Sequence, residues 1–434
     1  MNNPAPAGAS KRVPTDWQGQ AMQKRIRRRY AAERRFRFFG FAAVLLSAAF
    51  LAFLLATMVT NGWRGFTRTE IALPIDFPAI KLPVERAALH TVGADLALAG
   101  AGLEEQVKGA AVAAYGPGGE NFVADSAWVD VREAIERDPT MLDRKITFHV
   151  PASTGIDQAM GGQGSAEMTA AADRLKAAGV VSRSFNTSFL TESDSTDPVA
   201  VGIWGALKGS LLTMAVTFLI GFPVGVLSAI YLEEYAPRNR WTDLIEVSIN
   251  NLAAVPSIIF GLLGLAVFLG TWEIGGVHFG PLLPRSAALV GGLTLALMIM
   301  PVIVIASRNA IKAVPPSIRD AALGIGASPI QVVFHHVLPL AMPGILTGTI
   351  IGMARALGET APLLLIGMRA FIVTPPGGFT DPATVLPVQI FLWSDEVSRG
   401  FVEKTSAAII VLLAFLLAMN GLAIYLRNKF ETRW

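Results

Sequence analysis

Six apolar runs, each of about 20 residues, limit what this chain can fold into. Each run is long enough to cross a hydrocarbon layer roughly 30 Å thick as an α-helix. Only 16% of the 434 residues are charged, which argues against a soluble protein. We therefore predict an all-α polytopic membrane protein with about six transmembrane helices. The runs lie near residues 38–60, 203–232, 244–269, 286–306, 338–366 and 406–426.

The segment before the first run, residues 1–37, is strongly basic, and only Asp16 and Glu33 oppose its many lysines and arginines. Because it directly precedes an apolar run, we interpret it as a cytoplasmic tail on anionic membrane lipid and predict no nucleic-acid partner. The run at 38–60 is longer than the roughly 7 to 15 apolar residues of a signal peptide. It is therefore predicted to be a retained signal anchor, the first transmembrane helix.

The distribution of basic residues predicts the orientation of the chain. If all six runs cross the membrane, the basic tail, two later loops and the C-terminal segment lie on one side. The loops of the other side, around 272–284 and 368–405, carry fewer basic residues. The positive-inside rule then places both termini in the cytoplasm. The basic positions after the tail are Arg238, Arg240, Arg308, Lys312, Arg319, Arg427, Lys429 and Arg433.

Residues 61–200 differ from the rest because their charges are spread out and their apolar content is modest. The pattern at 145–150 is typical of a strand and that at 165–178 of a helix, so we predict a mixed α/β extracytoplasmic insert domain. Its two histidines, His90 and His149, have no spacing typical of a metal or catalytic site, and the chain has no cysteine. No metal or catalytic residue is predicted. Residues 201–430 form the remaining membrane domain, with five transmembrane helices.

The loop at 314–331 contains signals for a helix, a break and a second helix. Ser317 and Asp320 have the spacing of a capping box, and Gly326 can end the first helix. Ser328 followed by Pro329 can begin the second helix. The apolar positions on one face of the first helix, which would need a partner on a cytoplasmic loop, are Ile318, Ala321, Ala322 and Ile325.

The fifth run contains an arginine and a glutamate four residues apart, Arg355 and Glu359, which would share one helix face. An isolated arginine at bilayer depth costs at least about 2.5 to 3.5 kcal/mol, so the pair is predicted to face a protein interior or a wet pathway. The guanidinium presents fixed donors that match an oxyanion, and the glutamate can hold it in place. A purely structural pair remains the alternative.

Two sets of residues resemble a known family. Asp320-Ala321-Ala322, then Gly326, then Leu338-Pro339 resemble the EAA loop of ABC importer permeases, with aspartate in place of the usual glutamate. In that family the loop docks into a groove of the ATPase subunit, which implies docking roles for Ser317, Asp320, Ala321, Ala322, Gly326, Leu338 and Pro339.

The string 354–363, Ala-Arg-Ala-Leu-Gly-Glu-Thr-Ala-Pro-Leu, is similar to the PstA-type permeases of phosphate-specific transporters, as are 221–226, 229–235 and 254–262. The resemblance covers about 203–430. It implies the type I importer permease fold, the bacterial inner membrane and a substrate path with Arg355, Glu359 and Thr360. Arg308 is a second candidate for that path, with simple anchoring at the membrane surface as its alternative.

The resemblance also implies partners. These are a second homologous permease, two ABC ATPase subunits and a periplasmic phosphate-binding protein. The chain has no G-x-x-x-x-G-K-[ST] loop, so we expect it to bind no cofactor itself and leave ATP and Mg²⁺ to the ATPase partner. It is predicted not to be an enzyme.

Three alternatives remain open. A permease for another oxyanion, sulfate or molybdate, would share the docking loop. A membrane-tethered sensor would use residues 61–200 to bind a ligand, although 426–434 is too short to be a signalling domain. A membrane enzyme fits least, because no acid/base or metal set gathers near the ends of the runs.

Overall fold

The structure, a computed structural model, describes residues 19–80, 82–84, 89, 93–274, 277–281, 283–398 and 400–430. The chain divides into two compact units, Met1–Met58 and Val59–Trp434. In the first unit, helix α1 (Gln20–Gly65) begins within the basic tail and continues through the first apolar run. Its last residues belong to the second unit. Residues 1–18 of the predicted tail, and His90, lie outside the described part of the chain.

The predicted mixed α/β domain is confirmed, and it forms around a three-stranded sheet. Strand β1 (Thr67–Asp76) lies between β2 (Lys145–Pro151) and β3 (Val181–Phe185), antiparallel to both. Alternate residues of β1 are buried because successive side chains of a strand point to opposite faces. Its helices are α2 (Phe77–Ile80), α3 (Ala94–Gly100), α4 (Leu103–Tyr115), α5 (Ala127–Arg137), α6 (Thr154–Met160), α7 (Ala166–Ala177) and α8 (Thr187–Thr191).

The longer helices of this sheet domain, residues 67–191, each bury an apolar stripe. In α5 the stripe is Ala127, Val131 and Ile135, four residues apart, and all three are at most 1% exposed. They pack in one core with Leu73 and Ile75 of β1. The sheet domain therefore has a hydrophobic core of its own.

The second half of the chain is a helical bundle. A pair of short strands, β4 (Trp272–Ile274) and β5 (Val277–Phe279), interrupts it. Single turns of π-helix, Tyr231–Tyr235 and Val332–Val337, extend or join its helices. The helices are α9 (Trp204–Ile230), α10 (Arg240–Ala253), α11 (Ser257–Phe268), α12 (Ala288–Lys312), α13 (Pro316–Gly324), α14 (Pro329–Gln331), α15 (Leu338–Leu357), α16 (Ala361–Leu365), α17 (Leu386–Asp395) and α18 (Gly400–Phe430).

Five helical segments of the described chain are long and apolar enough to cross a membrane, and a sixth crossing needs the bent pair α10 and α11. The continuous helix predicted at 244–269 is wrong: the two helices meet at 108°. Pro256 precedes the first residue of α11, and a proline cannot supply the backbone N–H that would continue α10. The expectation of about six spans holds if this pair counts as one.

The packing of α9 on α12 indicates that the pair α10–α11 does carry the chain across the bundle. The two helices run parallel: Thr217, in the middle of α9, donates to the carbonyl of Gly292 near the start of α12, and Gly225, later in α9, lies against Ile303, later in α12. Parallel neighbours require a return between them. A Cβ on Gly292 would overlap Val216, so the close approach depends on glycine.

Candidate functional site

The loop at 314–331 has the predicted order of helix, break and helix. Helix α13 ends at Gly324, and Gly326 adopts φ +91°, a left-handed conformation that favours glycine. Ser328 then caps the next helix and forms a reciprocal capping box with Gln331. The capping box predicted between Ser317 and Asp320 is wrong. The N-cap residue of α13 is Pro315, and no side chain caps that helix.

The predicted single apolar face of this loop is also wrong. Ala322 is only 3% exposed and packs, with part of Ile318, into the core of the bundle. Ile325 lies beyond the helix end and is 82% exposed, because the break at Gly324 removes it from the helical repeat. The outward apolar surface consists instead of Leu323, Ile325 and Ile330.

The remaining predicted docking residues are placed as follows. Ser317, Asp320 and Ala321 are exposed on α13. Leu338 begins α15 and packs partly against the core, while Pro339 is exposed in the first turn of that helix. The surface that another protein could contact at this end therefore contains both polar and apolar groups.

Arg308, predicted as a path residue or a surface anchor, is held by carboxylates. Its side chain is 11% exposed, and its guanidinium lies 2.9 Å from Glu246 of α10 and 3.4 Å from Glu233 after α9. Lys312 lies 3.6 Å from the same Glu233. The guanidinium of Arg308 is thus directed to two side chains of this chain and ties three helical segments together.

A second ion pair connects the loop to the bundle. Arg319 of α13 donates to Glu234 at 2.7 Å and to the carbonyls of Ile311 and Val314. The acidic partners Glu233, Glu234 and Glu246 were missed as site residues. The signal that could have found Glu233 and Glu234 is their position at the end of an apolar run, beside basic loops.

The long helix predicted at 338–366 is broken inside the bundle. Helix α15 ends at Leu357, and α16 begins only at Ala361. Ala356 and Leu357 line a small cavity together with Leu295, which lies seven residues after the start of α12. At 1.5 Å per residue, Leu295 lies about 10 Å along the axis from the first residue of α12, and the break lies beside it.

The ion pair predicted between Arg355 and Glu359 forms at this break, with Nε and Oε1 3.4 Å apart. The prediction that the two share one helix face is wrong, since Glu359 lies beyond the end of α15. Their side chains are 44% and 18% exposed. Thr360 follows at the N-cap position of α16 without capping it. The three predicted path residues are therefore adjacent, at an irregular stretch of backbone.

Irregular backbone at membrane depth is tolerated only where it is covered by protein or faces water. The polar groups of Arg355 and Glu359 at the break meet the same requirement. Their exposed surface on this single chain must therefore face another subunit or an aqueous pathway. Within the described residues, no cluster of three or more His, Asp or Glu could hold a metal ion.

Family models match both parts of the chain. Residues 221–432 match the family model of the binding-protein-dependent transport system inner membrane component. Residues 23–170 match a domain of unknown function, DUF3333. An inward-facing structure of the methionine ABC transporter MetNI has 19% identity and a TM-score of 0.39, covering 53% of this chain and 98% of that one.

Two curated relatives overlap the bundle. The phosphate transport system permease protein PstA of Haemophilus influenzae is 31% identical over 219 residues, 50% of this chain and 73% of the relative. The probable ABC transporter permease YqgI of Bacillus subtilis is 34% identical over 193 residues, 44% of this chain. The alignment spans 61% of YqgI, less than two thirds of its length. The chain is a multi-pass membrane subunit of an ABC transporter, and it belongs to the PstA-type permeases.

Proposed function

We propose that this chain is the permease subunit of an ATP-driven importer for inorganic phosphate. The observation that carries the proposal is the Arg355–Glu359 pair at the break between α15 and α16. Broken helices line substrate sites in many transporters because their free backbone groups and buried charges can bind ions. The names of the curated relatives support phosphate as that ion.

The chemistry of the pair fits an oxyanion. A guanidinium forms two parallel hydrogen bonds to a phosphate group, and it stays charged at any physiological pH. Glu359 restrains Arg355 and can accept a hydrogen bond from a protonated phosphate oxygen. Because both side chains are partly exposed, phosphate would pass between this chain and a homologous permease that covers them.

ATP hydrolysis belongs, in this proposal, to two separate ATPase subunits, which use ATP and Mg²⁺, so this chain is not an enzyme. Leu323, Ile325 and Ile330 would enter a groove of the ATPase. Movement of that groove would reach the bundle through buried Ala322 and through the Arg319–Glu234 pair. Alternating access then follows from a shift between two packed states.

The charge pattern supports an orientation in the bacterial inner membrane with both termini cytoplasmic. Residues 1–37 would be the cytoplasmic tail and 38–60 the signal anchor. Residues 61–200 would be periplasmic, where a phosphate-binding protein delivers the ion, and 201–430 would form the permease domain with its coupling loop at 314–331. The end of the bundle that carries Arg308 is then the cytoplasmic end.

The test is uptake of radioactive phosphate by cells that lack this chain. Wild type should restore uptake, and excess phosphate should compete while sulfate and molybdate do not. Restoration of sulfate or molybdate uptake alone would assign the permease to a different oxyanion. Failure to restore any uptake, with all subunits present in the membrane, would favour the tethered sensor.

A further inference from the structure

We propose that the sheet domain is a rigid brace of the outer end of the permease, fixed to the first turns of α18 and to α17, rather than a mobile ligand-capturing module. It would therefore move with these helices as one body during the transport cycle. This inference rests on the proposed function for the orientation of the bundle, for the ATPase partners that trap the nucleotide and for the transport assay.

The first contact is a lysine buried where three parts of the chain meet. Lys404, in the second turn of α18, is 6% exposed. Its Nζ donates to the carbonyl of Gly65 at 3.0 Å and lies 5.2 Å from the ring centroid of Phe189, in α8 of the sheet domain. A buried charge is costly unless its surroundings hold it, so this arrangement disfavours separation of the three parts.

Carboxylates of both the sheet domain and α18 act on the charge of the same lysine. Asp157 of the sheet domain and Glu403 of α18 both attract its charge. Asp157 also accepts hydrogen bonds from the backbone and hydroxyl of Thr69 in β1. Glu403 lies 3.8 Å from Arg64, just before β1. The electrostatic contacts thus cross the boundary between the sheet domain and α18 in both directions.

A chain of aromatic rings forms the second contact. Phe189, which is fully buried, lies 5.6 Å from the ring of Phe66 and 6.3 Å from that of Trp393 in α17. Trp393 continues the chain to Phe401 of α18, at 6.2 Å. Rings packed at these distances add attraction beyond the area that they bury. The cluster fills the junction with apolar side chains from both parts.

The third contact is the segment that joins the sheet domain to α9, which is held by hydrogen bonds and close packing. The backbone N–H of Asp194 donates to the carbonyl of Ile372 at 3.0 Å, and its carboxylate accepts from Trp393 Nε1 at 3.1 Å. Gly202 donates to the carbonyl of Ser193 at 2.7 Å. A Cβ on Gly202 would overlap the backbone of Glu192. A hinge requires a loosely packed linker, and this one is bonded and packed along its length.

An engineered disulfide tests the brace directly, because the natural chain has no cysteine. Thr154→Cys in α6 and Gly400→Cys at the start of α18 form the pair, since a Cβ on Gly400 would lie 3.1 Å from Thr154 Cγ2. The same Cβ would lie 2.8 Å from Pro198 Cβ, so Gly400→Cys requires a small local shift, whose effect on uptake the Gly400→Cys single variant measures. The complete transporter is oxidised in membranes, once without nucleotide and once trapped with ATP and vanadate. Each single-cysteine variant is the control.

If the brace is rigid, the disulfide forms to the same extent in both states, and phosphate uptake is equal in oxidised and reduced cells. A several-fold loss of cross-linking in the trapped state would overturn the proposal. So would a loss of uptake on oxidation that a reductant restores. If wild type takes up no phosphate, the proposed substrate fails, while the cross-linking yield still decides on the brace.

Hydrogen exchange of the unmodified transporter provides a measurement that needs no variant. The amide of Asp194, bonded to Ile372 of the bundle, and that of Gly202, bonded within the joining segment, should each exchange equally slowly with and without trapped nucleotide. Exchange about tenfold faster in either state would indicate a hinge and would overturn the brace.

Discussion

The guanidinium of Arg308, in the last two turns of α12, lies 2.9 Å from the carboxylate of Glu246 in α10. Removal of the guanidinium deprives the partly exposed Glu246 of its partner and leaves the more buried Glu233 with only Lys312, at 3.6 Å. We expect Arg308→Gln to lower the free energy of unfolding by about 1 to 3 kcal/mol, less than for a fully buried pair because Glu246 is partly exposed. Thermal unfolding of the purified transporter measures this. The double variant with Glu246→Gln should recover part of the loss, whereas a raised KM at unchanged stability would instead make Arg308 a path residue.

Replacement of Arg355 should strongly reduce uptake without lowering the amount of protein in the membrane. Arg355→Gln removes the charge that would bind phosphate, so uptake should fall by about tenfold or more, and Arg355→Lys should retain part of it because it keeps the charge. Initial uptake rates and membrane levels are measured together. Arg369→Gln, an exposed arginine on the loop after α16, is the matched control and should transport normally. Normal uptake by Arg355→Gln would leave the pair a structural one.

Two substitutions in the coupling loop should fail for different reasons. Ile325→Arg changes an exposed side chain, so the permease should remain stable but lose its ATPase on co-purification. Ala322→Arg places a charge in the core and should destabilise the permease itself. Ile325→Leu is the control. Co-purification of the ATPase at wild-type levels with Ile325→Arg would move the docking surface elsewhere.

Addition of a methyl group at Gly292, where α12 contacts α9, should lower the stability of the bundle. Gly292→Ala would force its Cβ onto Val216 and should destabilise the bundle by about 1 to 3 kcal/mol. Gly421→Ala in α18 has open space around the new methyl and should be neutral or stabilising by up to about 1 kcal/mol. Thermal unfolding in detergent compares the two. Equal effects would show that the close approach of α9 to α12 is not required.

Asp194 should make the sheet-domain junction sensitive to pH. Burial raises the pKa of its carboxyl above 3.8, although the hydrogen bond from Trp393 opposes the rise. An acid whose pKa is raised by folding favours the folded state most below its unfolded pKa, so its contribution declines as pH rises from 3.8 toward the raised pKa. Asp194→Asn should remove that part of the pH dependence, as measured by thermal unfolding across this range. An unchanged pH profile would contradict the assignment.

Local patterns in the sequence predicted much of the architecture. Apolar length marked the spans, and the spacing of Gly326, Ser328 and Pro329 marked the break in the coupling loop. Strand and helix periodicity marked the mixed domain at 145–150 and 165–178. These signals are readable because caps, left-handed glycines and side-chain period depend on neighbours within a few residues.

The sequence by itself thus determined the class of fold and the residue types at the candidate site. Only the tertiary structure decided that α15 ends beside Leu295, that Ala322 faces the core, that Glu246 holds Arg308, and that Lys404 joins the sheet domain to α18. Each of these depends on a contact between residues far apart in the chain. Local propensity carries no information about such a partner, because it is chosen by how complete helices pack and by which buried charge must be paired.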